Sequence, residues 1–233
     1  MAIINIETAT AVCSVALFEK GKVVFEKVSS DGPYHASLLG VFVEEAVKES
    51  ECRGLTINAV AVSSGPGSYT GLRIGVSMVK GLCFGWDVPL LSIPTLDIMA
   101  SKVAKQIRDK GLPESLLCAM IDARRMEVYA AIYDQSLRKI RDTGADIVTE
   151  ETYVSFLEKQ KIYFFGSGAA KCKDVIRSSN AMFIDDIHPL ASDMAALSER
   201  AFEEKRFENT AYFEPFYLKD FIATVAKNKV SGG

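Results

Sequence analysis

One stretch of the chain occurs twice. Residues 4–26, INIETATAVCSVALFEKGKVVFE, align with residues 119–141, AMIDARRMEVYAAIYDQSLRKIR, at an offset of 115 positions. At that offset Glu7 stands over Asp122, Ile6 over Ile121, Cys13 over Val128, Val15 over Ala130, Leu17 over Ile132 and Phe18 over Tyr133. Each copy reads as an apolar strand ending in an acid, a short turn and an alternating second strand; Lys20–Gly21 then turns the first copy into a third strand. Further along, IYFFGSGAA at 162–170 repeats the strand–glycine–helix order of AVAVSSGPGSYTG at 59–71. One period of about half the 233-residue chain points to duplicated halves rather than a solenoid.

Within the first half the three strands are followed by a helix at about 34–50, the apolar strand INAVAVSS, a helix at about 69–86 and the strand VPLLSI. Hairpins interleaved with crossovers require a mixed sheet with helices packed on it. The sequence therefore predicts an α/β protein of two halves, 1–110 and 111–223, each a mixed sheet flanked by helices. A helix follows Pro189 to about 205, and the polar residues 224–233 read as a flexible tail. No linker-like segment separates the halves, so they are expected to pack closely.

The 27 Lys and Arg against 30 Asp and Glu leave a net charge of −3, which argues against an unaided grip on nucleic acid. Cys13, Cys52, Cys83, Cys118 and Cys172 are scattered without a CxxC pair, as expected of small buried hydrophobes in a reducing, cytoplasmic setting. The start, MAIINIETAT, lacks the basic segment and long apolar run of a signal peptide. No run approaches the ~20 apolar residues of a membrane span.

The stretch SSGPGSYTGLRIG at 63–75 sits where a phosphate loop would sit. It has no lysine at the position a Walker loop demands, and Gly65 and Gly67 are followed by Gly71, one residue late for a dinucleotide fingerprint. It reads instead as a structural turn made by Gly65, Pro66, Gly67, Ser68 and Gly71, with Ser68 capping the next helix. That helix is apolar nearly all round: Leu72, Ile74, Val76, Met78, Val79, Leu82, Cys83, Phe84 and Trp86. A helix lying on one sheet needs a single apolar stripe, so this one must be covered on more than one side. Gly71 and Gly75, four apart, would let another helix approach. The first helix spreads Leu38, Leu39, Val41, Phe42 and Val43 over a similarly wide arc. Either the two helices bury each other, or part of their surface is a partner interface.

Chemical constellations are few. Glu7 and Asp122 close equivalent strands, and two such acids on facing turns could hold a magnesium nucleotide, with Arg124 touching an anion. The turns themselves, TATA and ARRM, lack the glycines that bring backbone up to phosphate. His35 and His188 stand far apart without metal-ligand spacing, and no GxSxG elbow announces a serine nucleophile.

Taken together, SSGPGSYTGLRIG, CSVAL, IDARRMEVY and EPFYLKD resemble the bacterial TsaB (YeaZ) family, accessory subunits of the machinery that makes threonylcarbamoyladenosine next to the tRNA anticodon. The similarity runs from about residue 3 to 223. It implies a duplicated actin/hexokinase/Hsp70-like (ribonuclease H-like) fold and a non-catalytic scaffold with no cofactor or metal of its own. It further implies docking to the catalytic homologue TsaD through the first two helices, at Leu38, Phe42, Leu72, Val76, Val79 and Cys83. The ATPase TsaE joins that pair, ATP and a metal ion belong to the partner subunits, and the chain alone pairs with a second copy. Contact with tRNA runs through the complex, with no membrane involved. The start departs from the family's commoner pattern, with IETA for IDTS, and Met126 replaces a frequent glycine. The alternatives are an ATP-dependent kinase or phosphohydrolase of the same fold, or a peptidase.

Overall fold

The structure, a computed structural model, describes residues 1–30 and 35–218; the expected tail at 224–233 and the last two residues of EPFYLKD lie outside the described residues. Strands β1 (Ala2–Glu7), β2 (Cys13–Glu19) and β3 (Lys22–Ser29) form an antiparallel meander. Helix α1 (His35–Cys52) crosses to β4 (Ile57–Ser63), which pairs parallel with β1, and α2 (Tyr69–Trp86) crosses to β5 (Leu90–Ile93). After α3 (Thr95–Asp109) the pattern restarts with β6 (Leu116–Asp122), β7 (Glu127–Tyr133), β8 (Lys139–Ile147), α4 (Val154–Leu157), β9 (Ile162–Phe165) and β10 (Ala181–Ile184); α5 (Ala195–Glu203) follows. The two sheets run β3-β2-β1-β4-β5 and β8-β7-β6-β9-β10, the same order in each half. Two equivalent mixed sheets are what the repeat predicts, and together they make the duplicated actin-like, ribonuclease H-like architecture that the resemblance implies.

Strands β1 and β6 are continuous apolar runs because each lies mid-sheet with both faces covered. On the outer face of the first sheet, Leu39, Val43 and Ala46 of α1 and Val76, Val79 and Cys83 of α2 pack on Ile4, Ile6, Val15, Leu17, Val60 and Val62. In the second half the corresponding layer shrinks to Tyr153, Leu157, Cys172 and Ile176 over Cys118, Met120, Ala130, Ile132 and Phe164.

The inner faces are joined by an exchange. Helix α3 leaves the first half and lays Met99, Val103 and Ile107 on Leu117, Ala119 and Tyr133 of the second sheet. Near the other end of the chain, Met194 and Ala201 cover Ile3, Ala61 and Leu91 of the first. Helix α3 is not among the expected elements, although Leu96, Met99, Val103 and Ile107 carry a helical stripe, with Asp97 in its first turn and Arg108 in its last. Beyond β10 the chain returns to the first half: Glu208 bridges Leu90, and the Phe216 N–H donates to the Ser64 carbonyl at 2.7 Å. The two sheets divide between β5 and β6, while α3 and the segment after residue 190 each pack on the opposite half.

The repeat itself needs one correction. In the first strand, Ala2, Ile4 and Ile6 share the outer core while Leu116, Cys118 and Met120 do so in the second half, an offset of 114. In the second strand, Cys13, Val15 and Leu17 match Val128, Ala130 and Ile132, an offset of 115. The second hairpin is one residue longer, and a one-residue slip reverses the side-chain faces. Asp122 is therefore the counterpart of Thr8, and Glu7 and Asp122 point to opposite faces of their sheets. Four of the cysteines are buried as expected; Cys52, at the end of α1, is exposed.

Candidate functional site

The glycine stretch owes its composition to the turn it touches. Ser68 caps α2, its hydroxyl accepting from the Gly71 N–H at 3.2 Å, and its own N–H donates to the Ala9 carbonyl at 2.7 Å. The start of α2 thereby lies directly on the β1–β2 turn. A Cβ on Gly67 would overlap the Ala9 carbonyl oxygen, one on Gly71 the Thr8 carbonyl oxygen, and one on Gly75 the Thr8 hydroxyl. What approaches Gly71 and Gly75 is this turn, not a second helix. Two N–H groups at this helix start are taken within the chain, that of Ser68 by the Ala9 carbonyl and that of Gly71 by the Ser68 hydroxyl. Gly71→Ala is expected to cost about 1–3 kcal/mol, because the Thr8 backbone cannot yield as a flexible side chain would; a lowered urea midpoint at unchanged slope checks it.

Glu7 lies at the centre of a buried polar seam on the inner face of the first sheet. It is fully buried, with Asn5, Ser14 and Ser63 also enclosed. One carboxylate oxygen accepts from the Ala9 N–H at 2.5 Å, while Oε2 makes no hydrogen bond. Burial pushes its pKa up to about 7; the Ala9 and Thr8 N–H groups and the Ser63 hydroxyl pull the other way, and the charge of Asp193 adds to the rise. The seam is closed by the 3₁₀ turn Ala191–Met194, held by Ala191 N–H donating to the Ser14 hydroxyl at 2.9 Å and by the Lys102–Asp193 ion pair at 3.0 Å. Asp193 is itself raised by burial, against the pull of Lys102.

Asp122 lies elsewhere, on the exposed β6–β7 turn, ion-paired with Lys171. Burial works to raise its pKa, but the Lys171 hydrogen bond, the Arg124 N–H and the Lys171 charge together outweigh it and hold the group below the ordinary range. No hydrogen bond or charge interaction joins Asp122 to Glu7. Arg124 is exposed beside Asp122, donating its N–H to Oδ1 at 2.8 Å. Sequence alone aligned the two acids; the slip between the hairpins separates them. Among the described residues no group of three or more His, Cys, Asp or Glu could hold a metal ion.

Of the expected interface residues, Leu72, Val76, Val79 and Cys83 are buried in the first half's own core, facing the sheet. Leu38 and Phe42 on α1 are half-buried. A second row of α2, Ile74, Met78 and Leu82, is half-buried against the edge of that core and, with Ala36, Arg73, Ser77 and Gly81, lines an open groove of about 600 Å³ beside α1. Beyond it Phe84 is 88% exposed. Both rows are apolar and one turn-step apart, so their spacing in sequence does not say which faces the sheet. Among the described residues no helix is long and apolar enough to cross a membrane.

Architecture and site together define a class: a duplicated actin-like protein whose first hairpin turn is packed against its own glycine stretch, with an apolar groove outside its first two helices. The family model described as TsaD, tRNA N6-adenosine threonylcarbamoyltransferase, matches residues 26–227. The tRNA threonylcarbamoyladenosine biosynthesis protein TsaB of Escherichia coli K12 is 31% identical over 231 residues, covering 96% of both chains. The TsaB protein of Haemophilus influenzae is 27% identical over 234 residues, 95% of each. The solved structure of YeaZ from Pseudomonas aeruginosa superposes with a TM-score of 0.77 at 25% identity, covering 93% of this chain and 99% of that one. The chain belongs to the TsaB (YeaZ) family of tRNA threonylcarbamoyladenosine biosynthesis proteins.

Proposed function

We propose that the chain is a non-catalytic docking subunit of the machinery that places a threonylcarbamoyl group on adenosine next to the tRNA anticodon, and that the α1–α2 groove receives the transferase subunit TsaD. The observation that carries this reading is the groove-lining apolar row Ile74, Met78 and Leu82 beside the small residues Ala36 and Gly81, with Phe84 at its edge. Large side chains over small ones give a surface into which a second helix pair can settle, and contiguous exposed apolar surface marks such contacts. Because the transferase family model also matches this chain, TsaD is expected to carry a related helix pair, so that like packs on like across a pseudo-twofold axis. In TsaD's absence the same logic pairs two copies of this chain.

The enclosure of Glu7 and the ion pairing of Asp122 favour a scaffold over a kinase or phosphohydrolase, since neither acid of the candidate pair is free in a common cleft. ATP and a metal ion are accordingly assigned to the partner subunits, with TsaE joining the assembled pair. The test is a double substitution on the groove-lining row, Ile74→Glu with Met78→Glu. Both side chains are half-buried and touch the first half's core as well as the groove, so the pair of substitutions is expected to cost about 1–3 kcal/mol. The variant should still unfold in one cooperative transition at a moderately lowered temperature, while affinity for TsaD drops at least about 30-fold, as expected for central apolar anchors. The modified nucleoside should disappear from tRNA in cells carrying the variant. Normal co-elution of a folded variant with TsaD would place the contact elsewhere.

A further inference from the structure

The β6–β7 hairpin has a feature that the docking reading does not use. Its tip holds two consecutive arginines in the left-handed backbone region, Arg124 at φ 71° and Arg125 at φ 48°. Side chains with a Cβ adopt this region at a cost, and glycine or asparagine usually fills it in hairpin turns. The loop is nevertheless firmly built. Ala123 N–H donates to the Glu127 carbonyl at 3.0 Å, and Glu127 N–H donates to the Arg124 carbonyl at 3.1 Å. Lys171 reaches in from the turn after β9, pairing with Asp122 and donating to the carbonyls of Arg125 at 2.7 Å and Glu127 at 2.6 Å. One lysine thus neutralises the acid beside the arginines and ties down the carbonyls that the twisted backbone turns toward it.

Both arginines are exposed, and among the described residues neither guanidinium makes an ion pair or a hydrogen bond. With Asp122 answered by Lys171, the tip carries two positive charges against the half-buried Glu127. Lys20 and Lys205 also take positive φ, but among the described residues only here do two consecutive non-glycine residues do so, with a rigid surround beneath them and both guanidinium groups left exposed, which points to use of their side chains. From these observations we infer that Arg124 and Arg125 form a phosphate-contact site for RNA backbone on the second half of the chain. Exposed guanidinium groups at a hairpin tip suit the repeated phosphates of a polyanion. A mononucleotide would instead need a concave site that buries most of its surface. The overall charge of −3 is compatible, because the contact is local and supplies orientation more than affinity.

The experiment measures binding of a labelled, unmodified tRNA transcript to the full chain, alone and mixed with TsaD, across about 50 to 200 mM salt. Arg124→Ser/Arg125→Ser is expected to weaken binding about tenfold at the low-salt end and to reduce the slope of log affinity against log salt by about 1.5. Arg124→Lys/Arg125→Lys should keep most of the affinity. Arg124→Gly/Arg125→Gly should lose RNA binding while melting at or above the wild-type temperature, which a merely structural role would not produce. The chain-alone arm and a co-elution check with TsaD keep this result separate from any failure of docking. The inference is overturned if wild type binds no tRNA in either arm, or if the serine variant retains affinity and slope. Saturable ATP binding that the serine variant loses would also overturn it, by assigning the arginines to a nucleotide.

Discussion

Glu7→Gln is expected to remove most of a pH-dependent loss of stability, about 3 kcal/mol in wild type between pH 4.5 and 7. Burial raises the folded-state pKa from the ordinary 4.5 to about 7. Below pH 4.5 the carboxyl is protonated in both folded and unfolded chains and adds no pH dependence. Between 4.5 and 7 the unfolded chain releases the proton and the folded chain keeps it, so stability falls by about 1.4 kcal/mol per pH unit. Above 7 the loss is complete: a carboxylate is held in a seam where one of its oxygens has no hydrogen bond. Glutamine keeps the acceptor for the Ala9 N–H and never ionises. Asp193 is raised by burial in the same sense, so a shallower slope should persist in the variant. Urea unfolding of both proteins at intervals of pH decides the matter, and parallel stability curves would show that Glu7 is not held as a neutral acid.

The same residue shows how far the sequence could be read. The duplication was visible because both hairpins alternate strongly and sit on continuous apolar strands, and both sheets are mixed as hairpins interleaved with crossovers require. The register between the copies was not visible. Alternation fixes which residues share a face within a strand, but a loop one residue longer resets the face across the turn, and nothing in TATA or ARRM gives loop length. Glu7 and Asp122 could therefore be aligned as letters while facing opposite ways in space. The glycine stretch was legible as a turn and a helix start, with Ser68 as its cap. Its reason was not, since Thr8 and Ala9 lie about 60 residues earlier in the chain and meet Gly67 and Gly71 only after β1 and β4 pair. The exchange of α3 and α5 between halves is equally non-local: each has a readable or partly readable stripe, but no local signal names the sheet it covers.

Val79→Arg tests the reading of α2 most severely, and it is expected to unfold the first half at a cost of about 4 kcal/mol or more. From sequence, Val79 belongs to a row with Leu72, Val76 and Cys83 that would tolerate charge if the row were a docking surface. In the structure that row is the inner one. Val79 has no exposed surface and lies in the cluster formed by Ile4, Val15, Leu39 and Val60. A guanidinium there would meet apolar side chains without a counter-ion, and escape would require lifting α2 off the sheet. Val79→Ala, which removes two methyl groups and adds no charge, should cost only about 1–2 kcal/mol. The neighbouring Met78 is half-buried and lines the groove, so a charge there can reach solvent without lifting α2 off the sheet. The two positions are adjacent in sequence and equally apolar, so the difference between them isolates burial from composition. A Val79→Arg chain that melts near the wild-type temperature yet no longer binds TsaD would show the inner row to be accessible in the free subunit, and would move the docking surface back to the residues first expected from the sequence. Loss of the cooperative unfolding transition in Val79→Arg, with a folded but non-binding Ile74→Glu/Met78→Glu chain, divides α2 into a row that holds the sheet and a row that meets the partner.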